Sequence, residues 1–209
     1  ADGVFTFKAN NNTTTVNGNI TTSGAYADGV FTSEANNNNT TVNGNITTEG
    51  EEADGLHLSN ADGNTITVNG NITTSGSGYG VWQYGTQNNT INIRGTLSAT
   101  GSGAYAAFLI DSSSNTLNFG RGAKIIGSLK NDGSDTNTLY FDMGIASSYM
   151  FTTEGTWNIV DSSKPVVKGS ANSRSVADME DTNNRLYQRF NQLGRATSLQ
   201  HKKAVGNHA

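Results

Sequence analysis

The chain has 209 residues, no cysteine and a single proline. Without cysteine there are no disulfide staples, no thiolate nucleophile and no sulfur ligand for a metal. Charge is scarce as well: Asp, Glu, Lys and Arg supply only 14% of the residues, for a formal net charge of −4. A disordered tail would combine low hydrophobicity with high net charge, and this chain does not. No apolar run approaches the ~18 residues that a membrane-crossing helix needs. No basic-then-apolar export signal opens the chain, so any such signal is expected upstream of Ala1. At 33% hydrophobic residues, a helical bundle or doubly wound core of this length is also excluded.

What is abundant is Asn and Thr, about a quarter of the chain together, and 25 glycines. They fall in a repeat. The string TVNGNITT begins at Thr15, Thr41 and Thr67, a spacing of 26 residues each time, and a worn copy, NIRGTLSAT, begins at Asn92. A second marker keeps the period: ADGV at Ala1 and Ala27, ADGL at Ala53, GYGV at Gly78, AYAAF at Ala104. Beyond these only an apolar skeleton persists, in Leu117/Phe119, Leu139/Phe141 and Trp157/Ile159.

Asn-Gly is a strong hairpin signal, so a β-hairpin is the first rival reading. A two-residue turn at Asn69-Gly70 would pair Val68 with Asn71 and Thr67 with Ile72. The apolar residues would then be split between both faces of the ribbon, which no half-buried hairpin favours. Treated instead as a corner, Asn-Gly-Asn lets Val68 and Ile72 both point inward from successive strands. The period then predicts an all-β, right-handed parallel β-helix of ~26-residue coils stacked at the ~4.8 Å strand spacing. Val16, Val42, Val68 and Ile93 would form one interior column, and Ile20, Ile46, Ile72 and Leu97 another. Asn17, Asn43 and Asn69 would form an outer amide ladder. Because Ala1 opens in mid-pattern without a polar cap, further coils are expected before it.

The far end has a different character. Residues 1–160 carry 5 basic and 13 acidic groups, net −8; residues 161–209 carry 8 basic and 4 acidic, net +4. From Ser175 to Gly194 the pattern is helical, with Val176, Met179, Leu186, Phe190 and Leu193 on one stripe. Asp178, Glu180 and Asp181 near its start and Arg185 and Arg189 later suit a helix dipole. The expected organisation is regular coils over 1–116, irregular coils over 117–160, a linker over 161–174, a C-terminal α-helix over 175–194 and a tail over 195–209.

An Asn/Thr/Gly-rich β-helix, irregular coils ending in GTWNIV at 155–160, and then a helix reading DTNNRLYQRFNQLG at 181–194 resemble the C-terminal passenger segment of a Gram-negative type V autotransporter. The resemblance covers essentially the whole chain. It implies a surface-exposed or secreted stem that supports export and displays an adhesive or self-associating region. It further implies that residues 117–160 act as an autochaperone-like cap and that the helix leads to the protein's own C-terminal outer-membrane β-barrel. A host-surface receptor or self-association would be the partner. Members of that family differ in what the stem carries, so a distal protease is the alternative; a free-standing glycan- or ice-binding solenoid is another.

Candidate sites are few. Asn183-Asn184 lies where the resemblance implies self-cleavage by side-chain cyclisation, assisted by barrel acids; otherwise it is a solvated or lumen-facing pair. Phe5, Phe31, His57, Trp82 and Phe108 share one column at spacings of 26, 26, 25 and 26 residues. Strand alternation makes them either an outward, ligand-facing aromatic strip or a core stack, in competition with Val4, Val30, Leu56 and Val81. Asp2, Asp28 and Asp54 are expected as solvated corners. Calcium could relieve their repulsion, but each coil supplies only one carboxylate and the Gly/Asp nonapeptide calcium repeat is missing. No metal and no cofactor is therefore assigned. Thr15, Thr41 and Thr67, with Thr21, Thr47 and Thr73, form outer ladders of the kind ice-binding solenoids use, interrupted at Arg94. With histidines only at 57, 201 and 208, no Ser/His/Asp set or carboxylate cleft assembles, and no enzyme is expected within the segment. Net −8 over the repeat region disfavours nucleic acid as a partner.

Overall fold

The computed structural model describes residues 1–132, 136–142, 148–161 and 174–177. Five three-strand coils come first. They are β1 (Val4–Phe7), β2 (Thr13–Val16) and β3 (Ile20–Thr22); β4 (Val30–Ser33), β5 (Asn39–Val42) and β6 (Ile46–Thr48); and β7 (Leu56–Ser59), β8 (Thr65–Val68) and β9 (Ile72–Thr74). The next two are β10 (Val81–Tyr84), β11 (Thr90–Ile93) and β12 (Thr96–Ala99), then β13 (Ala107–Ile110), β14 (Thr116–Phe119) and β15 (Lys124–Ile126). Five further strands follow: β16 (Ser128–Asp132), β17 (Asn137–Phe141), β18 (Ser148–Gly155), β19 (Trp157–Asp161) and β20 (Arg174–Ala177).

Equivalent strands pair in parallel, so the chain is a β-solenoid with three sheets. Sheet A runs β1-β4-β7-β10-β13-β16-β18-β20, sheet B is β2-β5-β8-β11-β14-β17-β19, and sheet C is β3-β6-β9-β12-β15. The register is the expected one. Val16, Val42, Val68 and Ile93 are consecutive partners, as are Ile20, Ile46, Ile72 and Leu97. From Val42 and Ile46 onward both columns are fully buried, and together with Val30, Leu56 and Val81 they fill a narrow core.

Polar groups hold the stack from inside as well as outside. The outer ladder is present, Asn43 Nδ2 donating to Asn17 Oδ1 at 2.9 Å and Asn69 Nδ2 to Asn43 Oδ1 at 2.6 Å. A second ladder, interior from Asn38 onward, passes through Asn12, Asn38, Asn64, Asn89, Asn115 and Asn137. In it each backbone N–H and side-chain Nδ2 donates to the Oδ1 of the next Asn, the N–H bonds measuring 2.7–2.9 Å. The bend that turns these amides inward uses left-handed backbone at two places per coil. Lys8, Glu34, Asn60, Gly85 and Asp111 form one column and Asn11, Asn37, Gly63, Asn88 and Ser114 the other, all with φ between 48° and 65°. Asn tolerates that conformation better than most residues, which accounts for part of its abundance.

Toward the C-terminus the parallel stack ends. β20 pairs antiparallel with β18, from Ser148↔Ala177 to Phe151↔Arg174. Residues 175–177, the expected start of the helix, are therefore extended, and residues 178–194 lie outside the described part. No helix occurs among the described residues.

Candidate functional site

Side chains alternate along a strand, so the residue after each buried Val or Leu of sheet A points outward. Phe5, Phe31, His57, Trp82 and Phe108 are these residues, and they are mutual partners in register. Phe5 is 57% exposed and the others are half-buried. The column is thus on the outer surface, and Val4, Val30, Leu56 and Val81 hold the inside. Its rings stack on one another: Phe5 to Phe31 at 5.3 Å, Phe31 to His57 at 4.3 Å, His57 to Trp82 at 4.3 Å, the last two pairs tilted by 24° and 27°. Both faces of His57 are consequently covered, and the ladder shows edges rather than faces to solvent around it. Beyond Trp82 the ladder changes. Tyr79 stands edge-on to Trp82 and to Phe108, at 6.0 and 5.3 Å, and Lys130 Nζ lies 4.8 Å from the centre of the Phe108 ring.

Three residues before each ladder position lies the corner residue: Asp2, Asp28, Asp54, then Tyr79 and Tyr105. The aspartates are not the solvated corners expected. Asp28 is 5% exposed and Asp54 is 2% exposed, because each carboxylate turns along the axis and accepts the amide of the next corner. Asp28 N donates to Asp2 Oδ1 at 3.0 Å, Asp54 N to Asp28 Oδ1 at 2.8 Å, and Tyr79 N to Asp54 Oδ1 at 2.6 Å. Burial of this kind is tolerable only with hydrogen bonds in place.

His57 occupies a ladder position that Phe fills in the first two coils. Its Nδ1 lies 2.8 Å from Asp28 Oδ2 and 3.7 Å from Asp54 Oδ2. Two acids from successive coils and one imidazole therefore converge. Burial pushes the Asp54 carboxyl up to about 8; the Tyr79 amide opposes this, and the charges of Asp28 and Glu52 add to it. All three groups line a groove of about 720 Å³ on sheet A, walled by Tyr26, Glu52, Tyr79 and Tyr84.

The remaining sequence candidates fall elsewhere. Thr41, Thr67, Thr47 and Thr73 do face outward, half-buried, and Asn92 continues the first ladder by donating to Thr67 Oγ1 at 3.1 Å. Asn183 and Asn184 lie outside the described residues. The acid and imidazole cluster is what sequence reasoning missed. Its signal was an Asp-x-x-His in the third coil, placed one period above Asp28.

The fold defines the chain as a parallel β-solenoid of ~26-residue coils. Compared with protein-family models, curated proteins and solved structures, it matches none.

Proposed function

We propose that the chain is a structural stem: the C-terminal passenger section of a Gram-negative autotransporter, holding an adhesive or self-associating region at the cell surface and supporting its export. The observation that carries this reading is the unbroken register of sheets A and B from the near-identical first coils into the aromatic-cored later ones. At ~4.8 Å per coil, such a stack is a stiff spacer whose length grows by adding repeats. The antiparallel strand β20 on the edge of sheet A agrees with a cap, since it interrupts the coil-on-coil parallel pairing of that sheet. The partner would be the chain's own outer-membrane barrel, and no catalytic role is proposed for the segment.

The test is made on Gram-negative cells expressing the whole gene. An antibody against residues 1–116 should label intact cells, and deletion of residues 117–160 should reduce labelling while total expression persists. Deleting the gene should also slow cell settling or surface attachment. Labelling only after lysis would overturn the display reading. Unchanged settling and attachment would overturn the adhesive part of it.

A further inference from the structure

We propose that Asp28, Asp54 and His57 bind a divalent transition-metal ion, which would tie the second coil to the third and leave an open coordination position toward the groove. Asp28 Oδ2, Asp54 Oδ2 and His57 Nδ1 all lie within 4.8 Å of one another. The separations of 2.8 and 3.7 Å from Nδ1 to the two oxygens bracket the ~3.3 Å edge of a tetrahedron with zinc-length bonds.

The carboxylates are already aimed. Each Oδ1 is occupied by a backbone N–H of the following corner, which fixes the carboxylate plane and turns both Oδ2 atoms toward the same nitrogen. Outer hydrogen bonds of this kind orient ligands at metal centres. Asp54 Oδ2, on a side chain that is 3% exposed, lies 3.7 Å from His57 Nδ1, too far for a hydrogen bond to that nitrogen, and a cation held between the three groups would bring both carboxylates and the imidazole into one set of bonds.

Position within the repeat agrees. The first two coils carry Phe in this column, and His appears only where two buried aspartates stand beside it. The donor set selects the ion. One imidazole nitrogen and two carboxylate oxygens suit Zn²⁺ or a neighbouring first-row ion with a fourth position for water or a groove ligand. They are too few for Ca²⁺, which takes 6–8 oxygens. Entry is provided by the groove that all three residues line.

The full chain with His201→Ala and His208→Ala, which leaves His57 as its one histidine, is titrated with Zn²⁺ and separately with Ca²⁺. Trp82, stacked 4.3 Å from His57, reports through its emission, and the thermal midpoint gives a second readout. The expected result is saturable binding of one Zn²⁺ per chain, a raised midpoint and no comparable Ca²⁺ response. His57→Phe, which restores the residue of the preceding coils and keeps the ring stack, should weaken binding by about 100-fold or more. Asp54→Asn, which keeps the acceptor for the Tyr79 amide, should weaken it by about tenfold or more without loss of the β-sheet circular dichroism. No Zn²⁺ response, or a response that survives both substitutions, would overturn the proposal.

Discussion

The early and late coils are built differently on one frame. In coils two to four the inner column at the end of sheet B is Val42, Val68 and Ile93. In the next two turns the same column becomes Phe119 and Phe141, stacked at 5.3 Å and 16°, with Phe141 against Phe151 at 5.0 Å. The early coils repeat nearly identical residues and vary along the outer ladder of sheet A, where His57 replaces Phe beside the buried corner acids. The late coils lose the repeated Asn-Gly corners and fill the interior with rings. The interior Asn ladder passes through both regions unbroken, from Asn12 to Asn137. Hydrogen-bonded register is thus common to the whole solenoid, whereas core volume is a local choice.

This contrast can be broken at several points. The largest effect is expected from pH, and only in the early coils. Asp54 has a folded pKa near 8 against an ordinary 3.8. It faces Asp28, Glu52, His57 and Tyr79. A raised folded value favours the folded state fully below pH ~4, and that contribution is lost as pH rises to ~8, at up to about 1.4 kcal/mol per pH unit. Denaturant unfolding of metal-free protein should therefore show Asp54→Asn gaining on the parent as pH rises from 4 to 8. A difference independent of pH would contradict the assignment.

Next comes the late core. Phe119→Ala should cost about 3–5 kcal/mol, more than Val42→Ala at the equivalent early position. Equal losses would mean that the rings do not carry the late coils. Between the two regions, Asn89→Ala should cost about 2–3 kcal/mol, because it removes the acceptor of both Asn64 donors and leaves the Ala61 carbonyl unpaired. Asn43→Ala on the outer ladder should stay within about 0.5 kcal/mol.

A last contrast concerns glycine. A Cβ on Gly76 would collide with the Gly50 carbonyl oxygen of the preceding coil, whereas one on Gly18 meets nothing within 4 Å. Gly76→Ala should lower the thermal midpoint measurably and Gly18→Ala should not.

Much of the frame was legible in the residues. A fixed spacing, and the split faces of the rival hairpin, were enough to place Val68 and Ile72 in separate interior columns. The aromatic column was visible as a column, but its side was not. Whether Phe31 or Val30 faces inward depends on the direction of the preceding corner, and one coil does not reveal it. Asp28 and Asp54 were misread because their burial depends on an amide donated from the next coil. The interior ladder was overlooked in favour of Asn17, Asn43 and Asn69. Asn38 and Asn64 turn inward only through left-handed steps at Asn37 and Gly63, and composition does not announce these. The cluster with His57 combines both difficulties, since it needs the outward side of the ladder and the buried side of the corner together.

The central claim is that residues 26 apart lie side by side on successive coils. Thr41 and Thr67 are direct partners on the outer face, and the chain has no cysteine to confuse the readout. With both replaced by cysteine, mild oxidation of dilute protein should form an intramolecular disulfide, because neighbouring strands lie ~4.8 Å apart, within disulfide reach. A chain that folds with the same circular dichroism but keeps both thiols free would contradict the parallel stack.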